Sequence, residues 1–404
     1  MADGWVDAAE AARLLGVKPA TLYAYVSRGL LTRRRADDGR RSLFDPAELA
    51  ALHKRSAPDP GAVSFTSAVT ALGADRPYYR GRDALALARE APYEDVAEWL
   101  WTGAEHADPS HHHLPWRSLP DAVAAAVAVQ AGLPPDLLPL DRLQLIVPTL
   151  AVTDPMRYTV DPDAVVATGR TLIAGMVDAL PSRSRRKPAK DAGIAERLWP
   201  KLTNAPPDDA LMRVLGEALV VLADHELAAS TVAARVAASV KADPYAVVNA
   251  ALGVVGGPMH GGASLGAERM FAQMRQPRDA ARVIGDRLRQ GERIPGVGHP
   301  VYKAGDARGA FLLDEVRRAA PRHPRLAVAE ATVRELTGRG LPAFNVDFAV
   351  ATLTGVCGMV TGAGEAIFAV ARTAGWLAHA LEEYGRRTPM RPRATYVGPP
   401  AETG

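Results

Sequence analysis

The chain has 404 residues, 48% of them hydrophobic and 23% charged, a globular balance that excludes a wholly disordered or fibrous protein. Its 48 Lys and Arg stand against 45 Asp and Glu. The resulting net charge of +3 is far from the strongly basic balance of a dedicated nucleic-acid binder. Cys357 is the single cysteine, so no internal disulfide forms and a reducing compartment suits the chain. The opening Met-Ala-Asp-Gly-Trp-Val-Asp lacks the regions of a secretory signal, and the apolar stretch at 348–360 is too short to span a bilayer. A soluble, cytoplasmic protein of two or three domains is expected, at ~150 residues per domain, with no membrane partner.

Residues 1–55 read as a separate unit. A helical pattern, a turn at Gly16 and a second helical pattern follow one another from Asp7 to Leu31. This is the helix-turn-helix signature, whose second helix enters a major groove. Pro19 suits the first turn of that second helix, where its missing N–H matters least. Leu14, Leu15, Val17, Leu22 and Val26 supply a small core. Arg33, Arg34 and Arg35, then Asp38-Gly39-Arg40-Arg41, read as a hairpin wing with phosphate-directed charge, and a third helix starts at Phe44. The unit resembles winged helix-turn-helix domains of the MerR and excisionase type. That resemblance implies Lys18, Thr21, Tyr23, Arg28, Arg33, Arg34, Arg35, Arg40 and Arg41 as DNA contacts. The alternative is a head that serves packing or dimerisation alone.

Residues 56–61, Ser-Ala-Pro-Asp-Pro-Gly, have the composition of a linker. Beyond them apolar residues recur at three- and four-residue spacing over 121–129, 211–222 and 230–240. Period-two alternation is scarce, so no large sheet is expected. The fold class is mainly α.

Four non-periodic segments gather the reactive side chains: 223–231 with His225, 256–262 with His260, 295–308 with His299 and Arg308, and 345–348 with Asp347. His260 and His299 lie among glycines, which let backbone approach a ligand closely. Two such histidines, with an aspartate in a Pro-Ala-Phe-Asn-Val-Asp turn, point to acid/base chemistry. Gly262-Ala-Ser-Leu-Gly266 matches the hydrolase nucleophile elbow but lacks the strand that motif needs. His111-His112-His113 lacks metal-ligand spacing, so no metal is expected. Residues 183–190, Arg-Ser-Arg-Arg-Lys-Pro-Ala-Lys, read as a solvated basic loop.

From about 62 to 400 the chain resembles citrate synthase. Tyr79-Arg80-Gly81 and Val96-Ala97-Glu98-Trp99-Leu100-Trp101 carry the likeness near the start. Its specific part is the ordered set His225, His260, His299, Arg308, Asp347, Arg372 and Arg391. Arg372 stands in Ala-Arg-Thr-Ala-Gly-Trp and Arg391 in Arg-Pro-Arg-Ala-Thr-Tyr-Val-Gly. The resemblance implies a two-domain helical fold: a large domain at 62–262, a small domain at 263–359, and a return to the large domain and C-terminal arm at 360–404. It implies an acyltransferase with no cofactor, because acetyl-CoA is a substrate.

In that reading Asp347 removes a methyl proton from acetyl-CoA while His260 donates to the thioester oxygen. His299 polarises the ketone of oxaloacetate and supplies a proton as the C–C bond forms. Arg308, Arg372 and Arg391 clamp the two carboxylates, with His225 as a further donor. Lys303 matches a family position near the CoA phosphates. Arg391 crosses to the other subunit, so an obligate homodimer follows from the resemblance. Pro300 stands where many bacterial members carry Arg, and Ala307 where Pro is usual. Two alternatives stay open: a 2-methylcitrate synthase using propanoyl-CoA, and a DNA-binding regulator whose body senses metabolites.

Overall fold

The structure, a computed structural model, describes residues 5–15, 17, 22–23, 25–26, 31–36, 41–49, 65–103, 116–392 and 398. Gly16, Lys18, Pro19, Thr21, Arg28, Arg40, the 56–61 linker and His111, His112 and His113 lie outside these residues. The chain divides into two compact units, residues 1–65 with 391–404 and residues 66–390.

In the first unit, strand β1 (Val6–Asp7) leads directly into helix α1 (Ala8–Leu15). Asp7 caps that helix, its Oδ1 accepting from the backbone N–H groups of Ala9 and Glu10. Strands β2 (Arg33–Arg35) and β3 (Ser42–Phe44) pair as an antiparallel hairpin with Arg34 opposite Leu43, and β1 adds to the far edge of β3. The wing expected at these positions is present, and Arg33, Arg34, Arg35 and Arg41 are exposed. Ala11, Leu22, Leu31, Phe44 and Leu49 form the core, with Leu15 and Val26 against it. Leu14 is not part of it and is 41% exposed. The buried stripe of α1 runs through 8, 11, 12 and 15 at helical spacing, and position 14 falls off that stripe. Tyr23 is also 41% exposed, with its ring edge-on to Phe44.

The second unit is mainly helical. Strands β4 (Thr70–Leu72), β5 (Pro77–Tyr79) and β6 (Arg82–Asp83) form a small antiparallel sheet at its start. Helices α2 (Ala84–Glu90), α3 (Tyr93–Thr102), α4 (Pro120–Ala128), α5 (Pro139–Val152), α6 (Pro162–Ala179) and α7 (Ile194–Leu202) follow. Next come α8 (Asp209–Leu222), α9 (Ala229–Ser239), α10 (Pro244–Val255), α11 (Gly262–Ala272) and α12 (Asp279–Arg289). The last four are α13 (Ala307–Ala319), α14 (Pro324–Gly338), α15 (Val346–Val356) and α16 (Ala363–Tyr384). The three periodic sequence segments are α4, α8 and α9. Proline in the first turn after a capping aspartate starts α6 and α10, with Asp161 and Asp243 accepting from first-turn N–H groups.

Helix α16 is the centre of this unit. Its residues 363–380 are buried on every side, the pattern of a helix enclosed by others. It packs against α3, α5, α6, α8, α9, α10 and α11. Tyr93 Oη on α3 donates to the carbonyls of Val370 and Ala371, and Trp101 Nε1 to that of Ala374 at 2.9 Å. The chemistry-bearing positions of α16 are thereby fixed in depth and rotation.

Where α8 meets α13 and α2, the buried carboxyls of Glu217 and Glu315 share flanking arginines. Arg213 lies 3.7 Å from Glu217, Arg89 lies 4.0 Å from Glu315, and Arg318 pairs with Glu315. Burial, and then the charge of Glu315, push Glu217 up to about 7. A carboxyl raised in the native state costs stability as pH climbs from its unfolded value, about 4.3, through its folded one. Glu217→Gln is therefore expected to raise Tm more at pH 8 than at pH 5. Calorimetry at the two pH values checks this; equal shifts would refute it.

Candidate active site

Short backbone links gather the loop before α13 and the segment before α15. Gly298 N–H donates to Ala343 O at 2.8 Å, and Asn345 N–H to Gly296 O at 2.9 Å. Asn345 Nδ2 reaches Gly298 O at 2.7 Å, while its Oδ1 caps α15 by accepting from Asp347 N–H at 3.0 Å. Gly296 has φ +77°, and a Cβ there would stand 2.9 Å from that of Phe348. Only glycine fits this crossing. The result ties His299 to the segment carrying Asp347.

Asp306 caps α13 and grips Arg308 by a bidentate pair, Nε to Oδ1 and Nη2 to Oδ2, both 2.9 Å. Its Oδ2 also accepts Val346 N–H at 3.0 Å, so one carboxylate joins α13 to α15. Burial pushes the Asp306 carboxyl up, but the Arg308 guanidinium outweighs it and holds the group below the usual range. Arg308 is thus a fixed cation with its Nη2 3.4 Å from His299 Nε2.

The proton on each histidine follows from its partners. His299 Nδ1 accepts the backbone N–H groups of Val301 and Tyr302, both at 3.1 Å, so the neutral ring carries its proton on Nε2. That N–H lies beside Arg308 Nη2, so an anionic or carbonyl oxygen seated there would meet a ring donor and a cation. His260 Nε2 lies 3.4 Å from Ser230 N–H and 2.7 Å from Ser230 Oγ, which itself accepts from Trp376 Nε1 at 3.1 Å. Its proton therefore sits on Nδ1. Burial, and then Arg308 for His299 and Arg372 for His260, hold both rings down at about 4, so both are neutral at pH 7. His225 is also held well below the usual histidine range, by burial and then by Arg308.

His225 lies in the turn after α8. Its Nε2 is 3.1 Å from Tyr302 Oη, and its ring meets that of His299 edge-on at 5.3 Å. Tyr302 stacks on His299 at 4.7 Å, with the Arg308 guanidinium 5.4 Å from its ring. The turn is fixed from α16 and β5. Arg372 Nε donates to Leu222 O at 2.8 Å, Gly375 N–H to Ala223 O at 3.0 Å, and Tyr79 Oη to Asp224 O at 3.1 Å.

The structure brings His225, His299, Arg308 and Tyr302 into contact. His260 lies against Phe368, over which the Arg372 guanidinium sits at 4.5 Å. Burial pushes Asp347 up to about 7, opposed by Arg308 and Arg372. Lys303 is exposed at a cavity of about 280 Å³ that His299, Asp306 and Phe344 also line. Arg391 is exposed and falls with the other unit. Sequence reading missed Ser230, Tyr302 and Asp306. Ser230 and Asp306 look like ordinary caps, and only the neighbour His299 hinted at Tyr302. Gly262 begins α11 after a turn rather than a strand, so the nucleophile-elbow context is absent.

A family model described as citrate synthase, C-terminal domain, matches residues 60–393, and one described as a helix-turn-helix domain matches 5–55. Citrate synthase 2 of Bacillus subtilis is 31% identical over 363 residues, covering 84% of this chain and 95% of its own. A 2-methylcitrate synthase 2 of Corynebacterium glutamicum is 28% identical over 340 residues, with 79% and 88% covered. In fold, the chain is similar to citrate synthase from Thermoplasma acidophilum, solved as a ternary complex with carboxymethyl coenzyme A and oxaloacetate. The TM-score is 0.72 at 22% identity, covering 87% of this chain and 97% of that one. The chain belongs to the citrate synthase family of acyltransferases and carries a helix-turn-helix domain ahead of the family's fold.

Proposed function

We propose that this protein condenses oxaloacetate with acetyl-CoA and water to give citrate and CoA. The observation that carries the reading is the juxtaposition of His299 Nε2, Arg308 Nη2 and the His225 ring. Oxaloacetate offers a ketone oxygen and two carboxylates, and this grouping matches that pattern with neutral donors and a fixed cation. Asp347, raised to about 7, takes the methyl proton of the thioester, and His260 Nδ1–H stabilises the enolate oxygen as it forms. The enol carbon attacks the ketone, and His299 gives the new alkoxide its proton. Water then cleaves the thioester, releasing CoA. Arg372 meets a substrate carboxylate, Arg391 reaches the site of a second copy, and Lys303 faces the CoA phosphates.

Two copies suit the surface. Val127 and Val129 at the end of α4, and Val152, Met156 and Tyr158 at and just after the end of the adjoining α5, are 50–73% exposed, apolar area that a second copy would cover. The head, with Arg33, Arg34 and Arg35 exposed on its wing, would contact DNA phosphates. A free-thiol release assay with oxaloacetate and either acetyl-CoA or propanoyl-CoA tests the proposal. Faster release with acetyl-CoA is expected; preference for propanoyl-CoA reassigns the product to 2-methylcitrate. No release with either thioester sinks the enzyme reading and favours a metabolite sensor.

A further inference from the structure

Behind the His225 turn runs a line of buried polar side chains that the proposed chemistry does not use. Asp224 has no exposed surface, and its Oδ2 accepts Glu226 N–H at 2.9 Å. That bond closes a turn in which Glu226, not a glycine, takes φ +52°. The same Oδ2 lies 3.4 Å from His379 Nε2. His379, equally buried, has its Nδ1 2.7 Å from Arg235 Nη1. A guanidinium only donates, so Nδ1 accepts and the neutral ring presents Nε2–H to Asp224. Arg235 is in turn held by Glu382 at 2.7 Å and by Glu383.

His379 follows Arg372 on α16 by seven residues, two turns along the same face. Arg372 Nη1 and Asp224 Oδ1 are among the buried polar atoms of the described residues that have no hydrogen-bond partner. They carry opposite charge and act on one another electrostatically. A carboxylate and a guanidinium so placed tend to pair, which would take Arg372 away from a ligand and drag the turn with it.

We propose that His379 is a positioning residue for the ketoacid pocket: its Nε2–H keeps the Asp224 carboxylate off Arg372, leaving that guanidinium to the ligand and His225 in place. This rests on the reading of the site as the oxaloacetate pocket. His379 touches no substrate in this arrangement. Its loss is felt by the ketoacid and not by the thioester.

The test compares His379→Leu and His379→Gln with the wild type, using calorimetric oxaloacetate binding, both KM values, kcat and thermal melts. His379→Leu is expected to weaken oxaloacetate binding by about tenfold or more, the size of a lost hydrogen bond to a charged group. The acyl-CoA KM is expected to stay within about twofold and kcat within about threefold. His379→Gln, which keeps an N–H at the Nε2 position, is expected to restore affinity to within about threefold. Unchanged oxaloacetate affinity in folded His379→Leu, or an equal rise in both KM values, overturns the proposal. If the Leu variant does not fold, the Gln variant decides alone: near wild-type affinity supports the role and a tenfold loss overturns it. A wild type that binds no oxaloacetate overturns both the pocket reading and this one, whereas a binding wild type isolates His379.

Discussion

Asp347→Asn is expected to lower kcat by about 10²–10⁴ while oxaloacetate affinity stays within about threefold. The side chain sits in the first turn of α15, where the positive end of the helix favours a carboxylate. Arg308 and Arg372 favour it too, yet burial dominates and the group rises to about 7. A base with that value is half ionised at neutral pH and strong enough to share a proton with a weak carbon acid. The sign follows directly: the active form is the deprotonated one, so kcat/KM should rise with pH through about 7 and then level. In Asp347→Asn the residual rate should lose that acid limb. Thiol release measured from about pH 5.5 to 8.5 checks both curves. A wild-type profile that stays flat across this range would remove Asp347 as the base.

Arg308→Met should unsettle the fold as well as the site. The pair it forms with Asp306 is almost wholly buried, and Asp306 is also tied to Val346. Removing the cation alone leaves a buried carboxylate, a change that costs about 3–5 kcal/mol. In the wild type the Asp306 carboxyl is held low, so the stability it confers is present above the usual Asp range and lost only as pH falls. Without Arg308 the largest opposing influence is gone, and burial raises the carboxyl. The deficit of the variant should therefore shrink at acid pH, where protonation relieves the stranded charge. Urea unfolding at pH 8 and pH 5.5 measures this. Adding Asp306→Asn to Arg308→Met should recover most of the stability but none of the oxaloacetate binding. Recovery of both would show that Arg308 serves the fold only.

Much of the fold was legible because its signals are local. Alanine- and leucine-rich spacing marked α4, α8 and α9, and the triple arginine followed by a Gly-containing turn marked the β2–β3 hairpin. His260, His299 and Asp347 stood out because Gly- and Pro-rich loops rarely carry such groups without need. What the sequence hid is long-range. Asp306 reads as a helix cap, and nothing adjacent to it announces the bond to Val346, 40 residues on. Tyr302 reads as an aromatic beside Lys303 until the turn after α8 folds over it. His379 looks like one polar residue in an apolar helix, because its partners Asp224 and Arg235 lie 155 and 144 residues away. Leu14 failed for the opposite reason: an apolar residue beside a buried stripe is not on it.

Helix α16 is both the enclosed centre of the second unit and the last helix of that unit to be made. Helices α3, α5, α6, α8, α9 and α10 leave the ribosome with apolar faces whose covering surface does not yet exist. At about 5–20 residues per second, α3 waits roughly 15–60 s for residues 363–384 to be added. Tyr93 and Trp101, whose hydroxyl and indole N–H end on α16 carbonyls, are unpaired through that interval. Native closure is thus a late event in synthesis, and the nascent chain must be kept from aggregating by shielding that its own sequence has not yet supplied.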